Sequence, residues 1–216
     1  MPRWLEALVA ALALVLLAPL LAVLALLVLV GSGRPVLYRQ VRMGRDGEPF
    51  RLLKFRTMGV AADRASRLTV GVDARVTRVG GWLRGRRLDE LPQLVNVLRG
   101  DMALVGPRPE VPEFRLSDLP DQVELLRHRP GLTDPASLAF RDEAALLAQV
   151  PDPDHYYRTT LLPAKARVSA DYLRRRTARS DVSVLLRTAR CLLAPSTMPA
   201  SVLAAAPPPG SRPSSR

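Results

Sequence analysis

The chain has 216 residues, enough for one domain with its own core and too few for two of ordinary size. Its 32 Lys+Arg against 20 Asp+Glu give a formal charge of +12, which points to anionic partners: nucleic acid, phospholipid headgroups or phosphorylated substrates. A single cysteine, Cys191, excludes an internal disulfide and a Cys-rich metal site, and His128 and His155 are too few for a His-based zinc centre. A metal here is therefore a hard ion held by oxygen, such as Mg²⁺.

From Ala7 to Val30 the chain carries no charge, and at ~1.5 Å per residue these 24 residues reach ~36 Å, enough to cross a ~30 Å hydrocarbon core. The run is too long for a cleaved signal peptide, and no A-x-A site follows it. Pro19 stands at its centre, where it removes one hydrogen bond and clashes with the Val15 carbonyl. Two topologies stay open. One is a spanning helix that tolerates the proline; the other is a kinked, re-entrant pair of half-helices, each ~18 Å long, that enters and leaves by one face. Arg3 flanks one end and Arg34, Arg39, Arg42 and Arg45 the other, so both topologies leave the remainder in the cytoplasm.

Val36 to Met43 and Phe50 to Thr57 are predicted as two strands joined at Arg45-Asp46-Gly47-Glu48, with Asp-Gly as the turn signal. Lys54 and Arg56 lie two apart and project from one strand face; they can clamp a pyrophosphate or simply face solvent from an edge strand. Gly59 to Asp73 reads as a mobile polar connection. Arg75 to Arg87 carries Val76, Val79, Trp82 and Leu83 at helical spacing, which predicts a helix packed under the acidic pair Asp89-Glu90.

In Leu88-Asp89-Glu90-Leu91-Pro92-Gln93-Leu94, the apolar spacing of Leu88, Leu91, Leu94, Val95 and Leu98 predicts a helix running to Gly100. Asp89 is placed as its N-cap and Pro92 in its first turn. Two adjacent carboxylates then stand at the positive end of a dipole that also attracts phosphate. An acidic first turn on an ordinary capped helix is the bland alternative. Arg84, five residues before Asp89, can point into the same cleft. After a short buried strand from Met102 to Val105, the prolines of Gly106-Pro107-Arg108-Pro109-Glu110 fix the direction of the Arg108 guanidinium.

Lys54-Phe55-Arg56-Thr57-Met58, the Leu88 to Leu94 block, Asn96-Val97-Leu98-Arg99-Gly100-Asp101-Met102 and Leu104-Val105-Gly106-Pro107-Arg108-Pro109 follow the order seen in bacterial sugar transferases. The chain resembles the monotopic phosphoglycosyl transferases that begin glycan assembly on polyprenol phosphate, from the apolar segment to about Thr188. The resemblance implies that a nucleotide-sugar, normally a UDP-sugar, gives its phosphosugar to Asp89 and releases UMP. Polyprenol phosphate then takes the phosphosugar from the aspartyl intermediate, a step that starts exopolysaccharide, O-antigen or glycoconjugate synthesis. It also implies that Asp89 is nucleophile and Mg²⁺ contact, and that Glu90 is either a metal-shell or an acid–base partner. Lys54, Arg56, Arg84, Arg108, Arg141 and Asp181 become candidates for the substrate-phosphate site. A carboxylate suits nucleophilic attack here because it is already ionised and needs no general base.

Arg129-Pro130-Gly131-Leu132-Thr133 matches the family's R-P-G-[IL]-T block. Many members continue with Gly, an apolar pair and Gln, whereas this chain has Asp134-Pro135-Ala136-Ser137-Leu138, a departure that bears on sugar or nucleotide specificity. Arg141 sits at the family's phosphate-contacting position, or else merely opens a helix from Glu143 to Val150. Ala164 to Arg176 is predicted as a helix, and Ser180-Asp181 as the cap of a last one, Val182 to Leu193. Arg174, Arg175, Arg176 and Arg179 make this region basic, fit for anionic headgroups or for a solvated helix pair. Asp181 matches an acidic position of the family's S-x-x-x-D pattern, with Thr177 in place of Ser, and Ser169 stands where many members carry Asp. From Ala194 onward Pro, Ala and Ser predict disorder.

The expected architecture is α+β, mostly helical with a small β-hairpin. Residues 1–33 form the membrane segment, 34–193 the catalytic domain on the cytoplasmic face of the inner membrane, and 194–216 a tail. The competing readings are a non-catalytic basic scaffold that binds lipid or partner proteins, and a nucleic-acid-binding protein. The latter is disfavoured because few aromatics interleave with the arginines. Pairing with a second copy, as a homodimer, is left open by the sequence.

Overall fold

The computed structural model describes residues 1–59, 71, 73–114 and 120–193. The tail expected from Ala194 and most of the connection expected from Gly59 to Asp73 lie outside the described residues. The order is α1 (Arg3–Ser32), β1 (Leu37–Met43), β2 (Pro49–Phe55), α2 (Arg78–Gly85), α3 (Gln93–Arg99), β3 (Ala103–Val105), α4 (Pro120–Leu126), β4 (Gly131–Thr133), α5 (Pro135–Ala139), α6 (Glu143–Leu147), α7 (Pro153–Tyr156), α8 (Leu162–Arg174) and α9 (Ala178–Leu193). The class is α+β, mostly helical, with two two-stranded sheets among the described residues.

The apolar segment forms α1, helical through all 30 residues with Pro19 inside it. One stripe faces the domain over the whole length, through Glu6, Ala10, Ala13, Leu14, Leu17, Leu21, Leu24, Ala25 and Val28. Steps of three and four residues keep that stripe on one side of a 3.6-residue helix. Its first half packs on Leu94, Val97, Met102, Leu104 and Val105, and its second half on Phe55, Leu83, Val79 and Leu91. Leu24 and Val28, fully buried there, each contribute roughly 1.5–3 kcal/mol. Both ends are also tied by polar contacts. Arg3 donates to the Arg99 carbonyl at 2.9 Å and Glu6 accepts from Arg129 at 2.6 Å, while the Ser32 and Thr77 hydroxyls lie 2.8 Å apart. On the far side Trp4, Leu12, Val15, Leu16, Leu26 and Val30 stay 54% to 80% exposed.

β1 and β2 pair antiparallel from Leu37↔Phe55 to Met43↔Pro49. The turn takes Asp46 (φ 57°) and Gly47 (φ 79°) through the left-handed region, which Asp-Gly tolerates best. α2 starts at Arg78 rather than Arg75, because Thr77 caps it by accepting from the Gly80 N–H at 2.9 Å. Trp82, expected underneath, is instead 43% exposed and stacked by the Arg86 guanidinium at 5.0 Å. The Arg129 to Thr133 block, given no element by sequence, supplies β4, parallel to β3 through Ala103↔Gly131 and Val105↔Thr133. Gly106 and Gly131 lie backbone to backbone there: a Cβ on Gly131 would strike the Gly106 backbone, and one on Gly106 the Arg129 carbonyl.

α7 runs into α8 through one π turn, Tyr157–Leu161. α9 begins before its expected start. Thr177 and Ser180 cap each other, each hydroxyl accepting from the other's N–H at 3.1 and 2.9 Å, and Asp181 falls inside the helix. Two of the basic side chains expected at the headgroups are used internally. Arg174 pairs with Asp121 and Glu124, and Arg176 with Asp181. Arg175, Arg179, Arg187 and Arg190 remain exposed beside Val182 and Leu186.

Candidate active site

Asp89 and Glu90 occupy a 3₁₀ turn, Leu88–Glu90, and not the cap of a helix; α3 starts three residues later, with Pro92 at its N-cap. Arg87 enters that turn in the left-handed conformation (φ 53°). Discrete cations, and not a helix dipole, therefore surround the dyad. Glu90 Oε1 accepts from Arg108 Nη2 at 2.9 Å and Lys54 Nζ at 3.4 Å, and Arg87 Nη1 lies 3.9 Å from Oε2. Arg87 is fixed by donating to the Ser137 carbonyl at 2.8 Å, and Arg84 by donating to Thr57 Oγ1 at 2.8 Å.

These side chains line one cavity of about 1180 Å³. Asp89 is buried at 6% exposure, and among the described residues no hydrogen bond reaches its carboxylate. Burial raises its pKa, the neighbouring Glu90 charge adds to that, and Lys54, Arg84 and Arg108 pull against both. Glu90 goes the other way: burial opposes ionisation, but Arg108, Lys54 and Arg87 together hold its carboxyl well below the usual range. Burial takes Lys54 down to about 8 despite Glu90. The two adjacent acids thus differ in character, one locked as an ion-pair partner and the other lining the cavity with no hydrogen bond among the described residues.

Of the residues expected at the site, all but Asp181 line this cavity. Arg56 belongs to the wall, donating to the Pro35 carbonyl at 3.1 Å and lying 5.7 Å over the Tyr38 ring. Arg141 sits at the rim, within 3.4 Å of the Gly85 carbonyl. Asp181 is elsewhere. It is 1% exposed and accepts from Tyr172 Oη at 2.6 Å, Arg176 Nε at 2.8 Å and the Met1 amine at 3.1 Å. A carboxylate so buried must be paired, and its partners here are structural.

Sequence reasoning missed Arg42, Glu110, Glu143, Tyr157 and Lys165, which line the same cavity. A signal existed. Lys54 and Lys165 are the only lysines among the 32 basic residues, and the cavity takes both. The two departures from the family pattern also meet, since Ser169 Oγ donates to Asp134 Oδ2 at 2.5 Å while Asp134 caps α5 through the Ser137 N–H.

Among the described residues no set of three or more His, Cys, Asp or Glu gathers for a metal. Mg²⁺ needs fewer, since it commonly takes one or two carboxylates with substrate phosphates and water. The buried Asp89 carboxylate, which lines the cavity and accepts no hydrogen bond among the described residues, fits that requirement.

A profile of the family described as bacterial sugar transferase matches residues 1–195. The chain belongs to that family. It is 39% identical over 197 residues to a UDP-glucose:undecaprenyl-phosphate glucose-1-phosphate transferase of Caulobacter vibrioides, covering 88% of this chain and 69% of that one. A putative undecaprenyl-phosphate N-acetylgalactosaminyl 1-phosphate transferase of Bacillus subtilis is 45% identical over 97 residues, 44% of this chain and 54% of its own length. An exopolysaccharide production protein, ExoY, of Sinorhizobium fredii is 37% identical over 179 residues, 75% and 79% of the two chains. As a sugar transferase the chain keeps the acidic pair and its arginines in a single cavity beside an apolar helix long enough to cross a membrane.

Proposed function

We propose that this sugar transferase moves a phosphosugar from a UDP-sugar to a membrane polyprenol phosphate, through a covalent intermediate on Asp89. The observation that carries the reading is the buried Asp89 carboxylate, which accepts no hydrogen bond among the described residues and lines the cavity that Lys54, Arg84, Arg87 and Arg108 make cationic. The donor's diphosphate enters beside those cations, which offset its charge. Asp89 attacks the sugar-bearing phosphorus. An O–P bond forms to the carboxylate, the P–O bond to the nucleotide phosphate breaks, and UMP leaves as an anion. A polyprenol phosphate oxygen then attacks the same phosphorus, the acyl-phosphate bond breaks, and Asp89 is restored. Glu90 keeps Arg108 and Lys54 in position throughout. Mg²⁺ held by Asp89 together with the substrate phosphates would supply positive charge that keeps the carboxylate ionised and steadies the leaving phosphate.

The placement at the cytoplasmic face of the inner membrane is part of the same proposal. The exposed side of α1 enters the lipid while its buried stripe stays on the domain, so the long acceptor reaches the cavity from the bilayer. The protein in detergent, with Mg²⁺, polyprenol phosphate and a panel of UDP-sugars, is expected to release UMP. Asp89→Asn lowers that release by about three orders of magnitude or more, with membrane association retained. Turnover unchanged in this variant removes Asp89 from the role.

A further inference from the structure

Beyond Glu90 the cavity wall changes character. Around the dyad four cations, Lys54, Arg84, Arg87 and Arg108, face two carboxylates. Further along, two cations, Arg42 and Lys165, face two carboxylates, Glu110 and Glu143, so this half is formally neutral. Lys165 is 6% exposed, with Nζ 2.9 Å from Glu143 Oε2, 3.3 Å from Tyr157 Oη and 3.5 Å from Glu110 Oε1. Tyr157 donates to Glu110 Oε2 at 3.0 Å. Beside them stand the rings of Phe114, tilted against Tyr157 with centroids 4.8 Å apart, and of Phe140.

A buried network of this kind is rarely worth more to stability than apolar packing of the same volume. Its place in a cavity wall suits recognition. Each carboxylate carries about four lone-pair sites, and the bonds above leave several free on Glu110 and Glu143. Those spare acceptors select a ligand rich in O–H donors. A phosphate, or the carbonyl edge of a pyrimidine, would find the Lys165 and Tyr157 protons already engaged. The aromatic faces suit the C–H face of a ring.

From this, and resting on the UDP-sugar reading above, we infer that Glu110, Glu143, Tyr157 and Lys165 form the subsite for the donor's hexose ring and choose among its hydroxyl configurations.

The test measures, for the full-length protein in detergent, KM for UDP-glucose and UDP-galactose, and the inhibition constant of UMP, which lacks the sugar. Glu143→Gln and Tyr157→Phe are each expected to raise the preferred donor's KM about tenfold and to shift the ratio of the two donors' kcat/KM, the first by weakening a charge-assisted hydrogen bond and the second by releasing the Glu110 carboxylate that Tyr157 holds. UMP inhibition should stay within about twofold, since no hydrogen bond to the sugar contributes to it. A UMP constant that rises in step with donor KM would assign this half to the nucleotide and overturn the proposal, as would an unchanged KM and donor ratio. Tyr157→Phe keeps the ring in place and decides the matter should Glu143→Gln fail to fold. Wild-type protein that releases UMP from no donor removes the underlying reading, and the subsite with it.

Discussion

Lys54 is the side chain whose ionisation most directly governs the proposed chemistry. Its native pKa of about 8 lies below the ordinary lysine value because burial outweighs the attraction of Glu90. As pH rises through about 8 the free enzyme loses this cation while Arg84, Arg87 and Arg108 keep theirs. kcat/KM for UMP release should therefore fall above pH 8, and Lys54→Arg should move that limb upward. The sign for stability is opposite. Between about 8 and the unfolded value of about 10.5 the unfolded chain holds the proton and the native one does not, so this group's contribution to stability grows with pH. Activity that falls while the melting temperature holds is the expected signature, and a flat profile to pH 9.5 would refute it. Asp89, Glu90 and Arg84 were legible in sequence because a short spacing brings them together, and Arg108 because its proline-flanked block resembles the family's. Lys165 was not: its partner Glu110 is 55 residues away, and only tertiary packing joins them. Asp181 was misplaced for the related reason that an acidic residue in a pattern does not say what surrounds it.

At the scale of elements, α2 is set by how closely it approaches the end of β2. Gly80 faces the Thr57 backbone, where a Cβ would strike the carbonyl, while Gly81 on the next position has only Val76 Cγ1 at 3.9 Å. Gly80→Ala must push the helix outward, and Arg84, anchored on Thr57 Oγ1, moves with it. A loss of roughly 1–3 kcal/mol and a higher donor KM are expected. Gly81→Ala should instead stabilise by about 0.5–1 kcal/mol through helix propensity alone. Thermal melts and donor titrations of the two variants check the pair, and equal melting temperatures would count against the close approach. The hairpin was readable because Asp-Gly and a period of two mark it. β4 was not, since three residues of strand carry no periodicity to detect. The buried stripe of α1 was invisible for the converse reason: Ala, Leu and Val compose both its hidden and its exposed sides.

For the whole molecule, the decisive relation is that both ends of α1 are fastened to one domain, by Arg3 and Glu6 at one end and Ser32 at the other. A helix held that way is expected to keep its first residues on the same side of a bilayer as the domain. Single cysteines at Pro2 and Arg34, in a Cys191→Ser background, should both be labelled only from the cytoplasmic side. Labelling of the Pro2→Cys protein solely from outside would show a true span. Sequence left these topologies open because hydropathy reports length and polarity, whereas the answer lies in which side of the helix the domain covers.

That shared packing bears on how the protein can be handled. Leu83, Val97 and Met102 are at most 1% exposed and sit in clusters closed by α1. Cutting away residues 1–33 would not release a water-soluble enzyme shorn of its tether. It would lay open a greasy trench along the remaining fragment, which would clump before it could be assayed.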